Sequence, residues 1–379
     1  MQEKLRASRG RGVILFYAGF VFLLTAVAAF WRIYNAEHPP RTYQEHLIPQ
    51  AEGSGQQEKV NIEVGMLINN VYNFEAIQKT FDADGWIWLK WPPEIEQAMK
   101  QHHVLPQELF YFFNLVNGYD SSVIPAGLAP KRTPDGGYYT RFQFTGHFIA
   151  NELNFRKFPF QTLKFPLALE IRQSTRLGLD YPVGMKIDYK NSGLGAYIDL
   201  GGYITEGFTL ARYTHIDESS LGDPDFGSEP RQVSQARMEI SYQKSSVATI
   251  LKILLPLIAV MALSLISPSI SATGWDVRVG IPPTALLSLI FLQQAYQSWL
   301  PELSYITFLD TVYNVCYLTN LILFGLFLWG TNTLKEASSE DRPAVVEHIE
   351  KVDRLFQKAL LLMMVVMVSV NWYVMSIRS

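Results

Sequence analysis

Residues 276–297 read DVRVGIPPTALLSLIFLQQAYQ, a stretch apolar enough to enter a membrane that nevertheless keeps a polar stripe. Gly280, Thr284, Leu287, Phe291 and Gln294 recur at steps of four, three, four and three, with Asp276 one step earlier. On a helix that spacing puts them on one face. A helix that faced only lipid would gain nothing from Thr284, Gln293, Gln294 or Gln297, because polar groups at membrane depth face a bundle interior or water. The stripe is open to two readings: a pore-lining helix, or a transmembrane helix whose polar face packs on its neighbours.

The rest of the chain sets that helix in context. Of 379 residues, 48% are hydrophobic and 18% charged, but the apolar residues are clustered. Stretches 13–31, 247–267, 281–299, 308–329 and 355–376 each approach the ~20 residues that a spanning helix needs. Proline removes amide donors and is tolerated best in a first turn. Pro282-Pro283 therefore predicts that the regular helix starts at Pro282 and leaves 276–281 irregular. Residues 246–379 thus form a transmembrane domain, with a charged, part-helical cytoplasmic loop at 330–354. The N-terminal 1–34 begins with Lys4, Arg6, Arg9 and Arg11 before an apolar run, as in a signal-anchor helix or a signal peptide. Either reading exports the chain beyond residue 34, and Lys and Arg near the later spans mostly fall on the inner side. A multi-pass protein of the cell (inner) membrane is expected. A net charge of −3 gives no basic field for nucleic acid, and a single cysteine, Cys316, excludes an internal disulfide and a cysteine-based metal site.

Residues 35–59 are polar and rich in breakers, a linker. Residues 60–245 read as mainly β. Apolar and polar positions alternate in 60–74, 85–91, 136–150, 163–172, 187–189, 196–204, 208–215 and 236–243, with turn clusters between them. Such short strands argue for an all-β sandwich or barrel. Residues 94–104 are the one helical insertion, and 216–235 an acidic, Gly/Pro-rich hairpin tip or loop.

An exported β-domain followed by four helices resembles the plan of the pentameric ligand-gated ion channels, the Cys-loop receptor superfamily. LNFRKFPF (153–160) resembles the family's signature loop, and WLKW (88–91) the strand bearing its nearly invariant tryptophan, here Trp91. PQELFYFFN (106–114) is similar to the segment of the first binding-loop aromatics, and YITEGF (203–208) to the strand before the capping loop. LLPL (254–257), TALLSL (284–289) and Leu300-Pro301 are similar to the first pore-domain helix, the pore helix and the loop after it. The resemblance covers about residues 60–376. It departs from the family in four places. The signature loop lacks its two cysteines, as in bacterial members. Gln161 replaces the acid after Phe-Pro-Phe, Lys244 replaces an arginine, and Pro282-Pro283 interrupts the pore helix.

The resemblance implies an immunoglobulin-like sandwich as extracellular or periplasmic ligand-binding domain, and a homopentamer. The pore would be lined by Asp276, Gly280, Thr284, Leu287, Phe291 and Gln294. Asp276 then forms an acidic ring that favours monovalent cations, unless it pairs with Arg278 or caps a helix; Leu287 and Phe291 form apolar rings able to gate by dewetting. Gating would be coupled through Phe158, Pro159, Phe160, Lys244, Leu300 and Pro301. Trp86, Trp88, Phe110, Tyr111, Tyr203 and Tyr213 would line a ligand site between neighbouring soluble domains, unless they are ordinary strand packing. The agonist would be a small ligand, a divalent ion at Asp82 and Asp84, or a proton at His102, His103 or His215. No cofactor and no metal centre is expected, and no catalytic motif for an enzyme is present. The alternative is a non-conducting membrane sensor or scaffold of the same fold. A weaker third reading is a transporter accessory protein that binds a partner through its β-domain.

Overall fold

The computed structural model describes residues 47–49, 60–116, 121–151, 153–171, 177–179, 183–217, 231–244, 247 and 250–377. The N-terminal helix and most of the linker expected at 1–59 lie outside them. The main compact unit runs from Gln44 to Glu302 and from Thr307 to Ser379; Leu303–Ile306 is assigned apart and has no regular structure.

Twelve strands come first: β1 (Leu47–Pro49), β2 (Val60–Glu75), β3 (Thr80–Trp91), β4 (Phe110–Phe112), β5 (Ser122–Pro125), β6 (Lys131–Arg132), β7 (Tyr138–Ile149), β8 (Thr162–Ile171), β9 (Val183–Ile187), β10 (Gly193–Leu194), β11 (Tyr203–Asp217) and β12 (Arg231–Lys244). They form a five-stranded sheet, β1-β11-β12-β8-β4, and a seven-stranded sheet built on β10-β2-β3-β7-β5, with β6 on β7 and β9 on β2. Alternation decides which side chains go inward. In β3, Phe81, Ala83, Ile87, Leu89 and Trp91 are buried, while Asp82, Asp84, Trp86, Trp88 and Lys90 point the other way. The two sheets meet through aromatic pairs: Phe81 with Phe165 at 4.9 Å, Phe112 with Phe144 at 4.9 Å, and Phe110 with Phe142 at 5.2 Å between ring centres. Opposite Trp88 stands Gly65, where a Cβ would lie 2.2 Å from the indole. Only glycine lets that ring lie flat across β2.

Three strand expectations are refined. Residues 196–202 form turns and irregular chain, not strand: Gly202 has φ +83°, a left-handed conformation that glycine reaches freely. Conversely, β11 and β12 pair antiparallel as far as Asp217 and Arg231, so the strands run a little way into the stretch expected as a hairpin tip or loop. Leu47–Pro49, expected in the linker, pairs with β11.

Helix α1 (Pro93–Gln101) follows β3, as its pattern indicates. After β12 come α2 (Leu255–Ile266), α3 (Trp275–Gln297), α4 (Phe308–Glu336) and α5 (Arg342–Ile377). A five-residue π-turn, Ile250–Leu254, leads into α2. The helical segments Leu251–Ser269, Trp275–Gln297, Phe308–Glu336 and Arg342–Ser376 are long and apolar enough to cross a membrane. Among the described residues the chain is thus two packed sheets followed by four membrane-length helices.

Two helix expectations change as well. Helix α3 starts at Trp275, with Pro282 and Pro283 inside it, rather than at Pro282. Its first turns are held from the side: the Arg278 guanidinium bonds the Asp353 carboxylate of α5, both buried, and lies over the Phe327 ring of α4 at 4.6 Å. The 330–354 segment is mostly helix, because α4 continues to Glu336 and α5 begins at Arg342.

Removing one partner of a buried ion pair leaves the other charge uncompensated, at a cost of about 3–5 kcal/mol. Arg278→Ala is expected to lower the melting temperature in detergent markedly. The double change Arg278→Met with Asp353→Leu is expected to recover most of the loss. Thermal unfolding followed by tryptophan fluorescence checks both.

Candidate pore face and domain junction

Asp276, Gly280, Thr284, Leu287, Phe291 and Gln294 are all exposed on α3, with Leu287 at 54% and Phe291 at 62% of their full accessible area. The buried residues of the helix, Arg278, Pro282, Ala285, Leu289 and Tyr296, keep the same rhythm displaced by one or two residues, which places them on the far side. That side is covered by α2 and α4. Two hydroxyls within α3 satisfy themselves: Thr284 Oγ1 donates to the Gly280 carbonyl at 2.9 Å and Ser288 Oγ to that of Thr284 at 3.0 Å. Gln293 accepts from the Tyr317 hydroxyl of α4. Asp276 stays exposed. It does not pair with Arg278, whose guanidinium is taken by Asp353.

At the other end of α3 the sheets meet the helices through rings. The turn after Phe155 carries a cis Phe158-Pro159 bond, and Phe158 stacks on Tyr296 at 5.9 Å. Phe160 stands edge-on to Trp372 of α5 at 5.6 Å, and Trp372 edge-on to Phe308 at 5.1 Å. The Phe308 amide donates to the Arg156 carbonyl at 2.8 Å, a main-chain link from the turn to the start of α4. Lys244, at the end of β12, holds its ammonium over three rings: Phe158 at 5.4 Å, Trp299 at 5.5 Å and Tyr203 at 5.8 Å. This is cation–π contact. Phe158, Lys244 and Leu300 line one cavity of about 500 Å³. Pro159 and Pro301 are buried beside them in sequence. Gln161 is 2% exposed, lines that cavity and a larger neighbouring one, and neither its amide nitrogen nor its oxygen has a hydrogen-bond partner among the described residues.

Within one chain the six aromatic residues expected at a ligand site between neighbouring domains occupy separate places. Trp86 and Trp88 lie on the outward face of β3, Trp86 under the Arg141 guanidinium at 5.1 Å and Trp88 donating from Nε1 to Asp188 at 3.1 Å. Phe110 is in the core against Phe142. Tyr111 and Tyr213 share a face of the other sheet, in a cross-strand row with Gln235 and Glu170. In that row Glu170, fully buried, accepts from the Tyr111 hydroxyl and from Gln235 Nε2 at 2.8 Å, and His215 Nδ1 lies 2.8 Å from it. Tyr203 belongs to the domain junction, beneath Lys244. One strand of alternating residues cannot show which end of a sheet its aromatic occupies.

His102 and His103 are exposed at the end of α1. Asp82 is engaged by Asn73 Nδ2 at 2.8 Å and His147 Nδ1 at 2.5 Å, and Asp84 by Asn70 Nδ2 at 2.8 Å. Among the described residues no group of three or more His, Cys, Asp or Glu side chains is arranged to hold a metal ion. Sequence reasoning placed Leu300 and Pro301 on the helix side of the junction but missed the rings there, Tyr296, Trp299, Phe308 and Trp372. Their signal was present as aromatic residues at span ends, where such rings concentrate.

No protein-family model matches the chain, and no curated protein matches it.

Burial holds the Lys244 ammonium below the usual lysine pKa, and Lys252 pushes in the same direction. Between that lowered value and the unfolded one the unfolded chain binds more protons, so stability rises with pH there. In thermal melts at pH 8 and pH 10, the difference between wild type and Lys244→Met is expected to shift in favour of wild type at the higher pH; a constant difference contradicts the assignment.

Proposed function

We propose that the protein is a homopentameric ligand-gated ion channel of the Cys-loop receptor type, with cation selectivity. The observation that carries this reading is the bare stripe on α3. A single chain buries one side of this membrane-length helix and leaves Asp276 and Gln294 uncovered along the other. Polar groups at that depth need water or a protein partner. Five copies around a cyclic axis provide a water-filled lumen for that face, with rings of identical residues. In this arrangement Leu287 and Phe291 close the pore by dewetting, and Asp276 forms the cation-attracting mouth. The packed sheets act as an immunoglobulin-like ligand-binding domain outside the cell or in the periplasm, and the helices cross the inner membrane. Contacts among Phe158, Lys244 and Tyr296 carry motion from the sheets to α3. The agonist is a small ligand, a divalent ion or a proton, and a small ligand would bind between neighbouring sheet domains.

A second reading, a non-conducting sensor of the same architecture, is favoured by one observation. At the junction Lys244 rests on rings and Gln161 replaces an acid, so the coupling contact is not an ion pair.

Purified protein is expected to run as a single pentamer by mass photometry and to conduct in planar bilayers across a screen of pH, calcium and amines. Leu287→Ser is expected to leak without agonist. Persistent absence of current in that variant refutes conduction and favours the sensor. Asp276→Asn is expected to move the reversal potential under salt dilution towards that of chloride by a lowered cation preference; a wild-type potential refutes the selectivity role.

A further inference from the structure

The end of β12 and the turn after α3 share a cavity of about 500 Å³, lined by Lys244 of the first and by Trp299 and Leu300 of the second. Small-molecule pockets commonly measure ~300–1,000 Å³. We propose that this cavity binds a small organic carboxylate with an apolar body, which ties the sheets to the turn after α3. The proposal rests on the fold of one chain and does not depend on conduction.

Three observations select that class. The first is charge. Lys244 makes no ion pair and no hydrogen bond among the described residues, and its nitrogen is not sealed off. The ammonium lies over Phe158, Trp299 and Tyr203 at 5.4, 5.5 and 5.8 Å. All three rings line the cavity, so the charge sits in the cavity wall. Ring faces attract a cation but leave its three N–H donors without oxygen acceptors. The charge felt at Lys244 is a second ammonium, Lys252, and not a carboxylate. Glu75, the one acid of the lining, is exposed and forms no ion pair with it. The spot is therefore positive and lacks a counter-ion, which a carboxylate supplies through charge-assisted hydrogen bonds. The second observation is the wall. Around the ammonium it is apolar or aromatic, with Phe74, Phe158, Tyr203, Trp299 and Leu300. A hydrated inorganic anion would give up its water against those rings, whereas an apolar body gains by being buried there. The third is the route. Among the described residues none from α2, α4 or α5 lines the cavity, so no lipid-facing helix wall leads an acyl chain to it. The occupant is a soluble molecule rather than a membrane lipid.

The test is isothermal titration of the purified full chain in mild detergent, with sodium benzoate as probe. Wild type is expected to bind benzoate about tenfold or more tightly than benzamide, its neutral isostere, and than acetate, which lacks the ring. Lys244→Met is expected to weaken benzoate about tenfold, Lys244→Arg to keep it within about threefold, and Glu75→Gln to leave it unchanged. Inorganic phosphate and a short-chain phosphatidylglycerol are expected not to compete. No binding of benzoate, equal binding of benzoate and benzamide, unchanged affinity in Lys244→Met, weakening by Glu75→Gln, or competition by either phosphate compound each overturns the assignment. Should Lys244→Met fail to fold, Trp299→Ala, at an exposed position, is expected to weaken benzoate several-fold and leave acetate unchanged; an unchanged benzoate affinity again overturns it. Current is not read, so failure here and failure of the channel reading are separate results.

Discussion

Hydrocarbon offers no hydrogen bond, so every polar group carried to membrane depth must find its partner in protein or in water. The helical region meets this condition in a graded way. Hydroxyls and amides on α4 bond back to their own helix: Thr319 to the Val315 carbonyl at 2.8 Å, Asn320 to that of Cys316 at 2.9 Å, Thr331 to that of Phe327 at 2.8 Å. Longer side chains bridge helices, as Tyr317 does to Gln293 and Gln357 to the Leu265 carbonyl at 2.7 Å. Ser264 Oγ of α2 and the Asn371 amide of α5 are buried without a partner among the described residues; Asp276 and Gln294 remain exposed on one face of α3, and the proposed pore rests on that face.

The junction between sheets and helices works on different physics. Ion pairs across a wet boundary contribute little because solvent screens them. Here the contact is made by aromatic area: Phe158 on Tyr296, Phe160 and Phe308 on Trp372, with one ammonium resting on three rings. Ring faces packed at 5–6 Å constrain relative position more tightly than flexible charged side chains do, and they are insensitive to salt. In the proposed channel, a turn gripping α3 at Tyr296 and α4 at Phe308 moves both helices together.

Much of this organisation was legible because it is periodic. The step of two in β3 and β7 fixed which side chains enter the core, and the step of three and four in α3 singled out the exposed stripe before any neighbour was known. What the sequence could not reveal is whatever depends on pairing over long separations. Glu170 meets Gln235 because β12 lies beside β8, and His215 because β11 lies beyond β12, and Arg278 meets Asp353 across 75 positions. The ligand aromatics illustrate the same limit. Tyr203 and Trp86 occupy strands of similar pattern, yet one ends at the helices and the other on an open sheet face. The turn at 196–202 misled for a local reason, since Tyr197 and Ile198 imitate a strand whereas Gly201-Gly202 break it.

The tandem prolines show how a strong local rule yields to a tertiary contact. Pro282 and Pro283 supply no amide to the carbonyls of Arg278 and Val279, and an interior proline costs a helix about 3 kcal/mol or more. By propensity alone, 276–281 should fray. The Arg278–Asp353 pair joins the first turns, which the backbone ladder holds least, to α5; removing one partner would leave the other charge buried and uncompensated, at about 3–5 kcal/mol, so the pair fixes position more than it adds net stability. Anchored to α5 through its carboxylate and to α4 through the Phe327 ring, the start of α3 is fixed by side chains where its amides cannot fix it. Asp276 lies two residues away, and its position at the end of the exposed stripe is therefore set by a contact on the opposite side of the helix. In the proposed channel the charge at the pore mouth is positioned by the helix packed farthest from the axis, and a change in how α5 seats is felt there first.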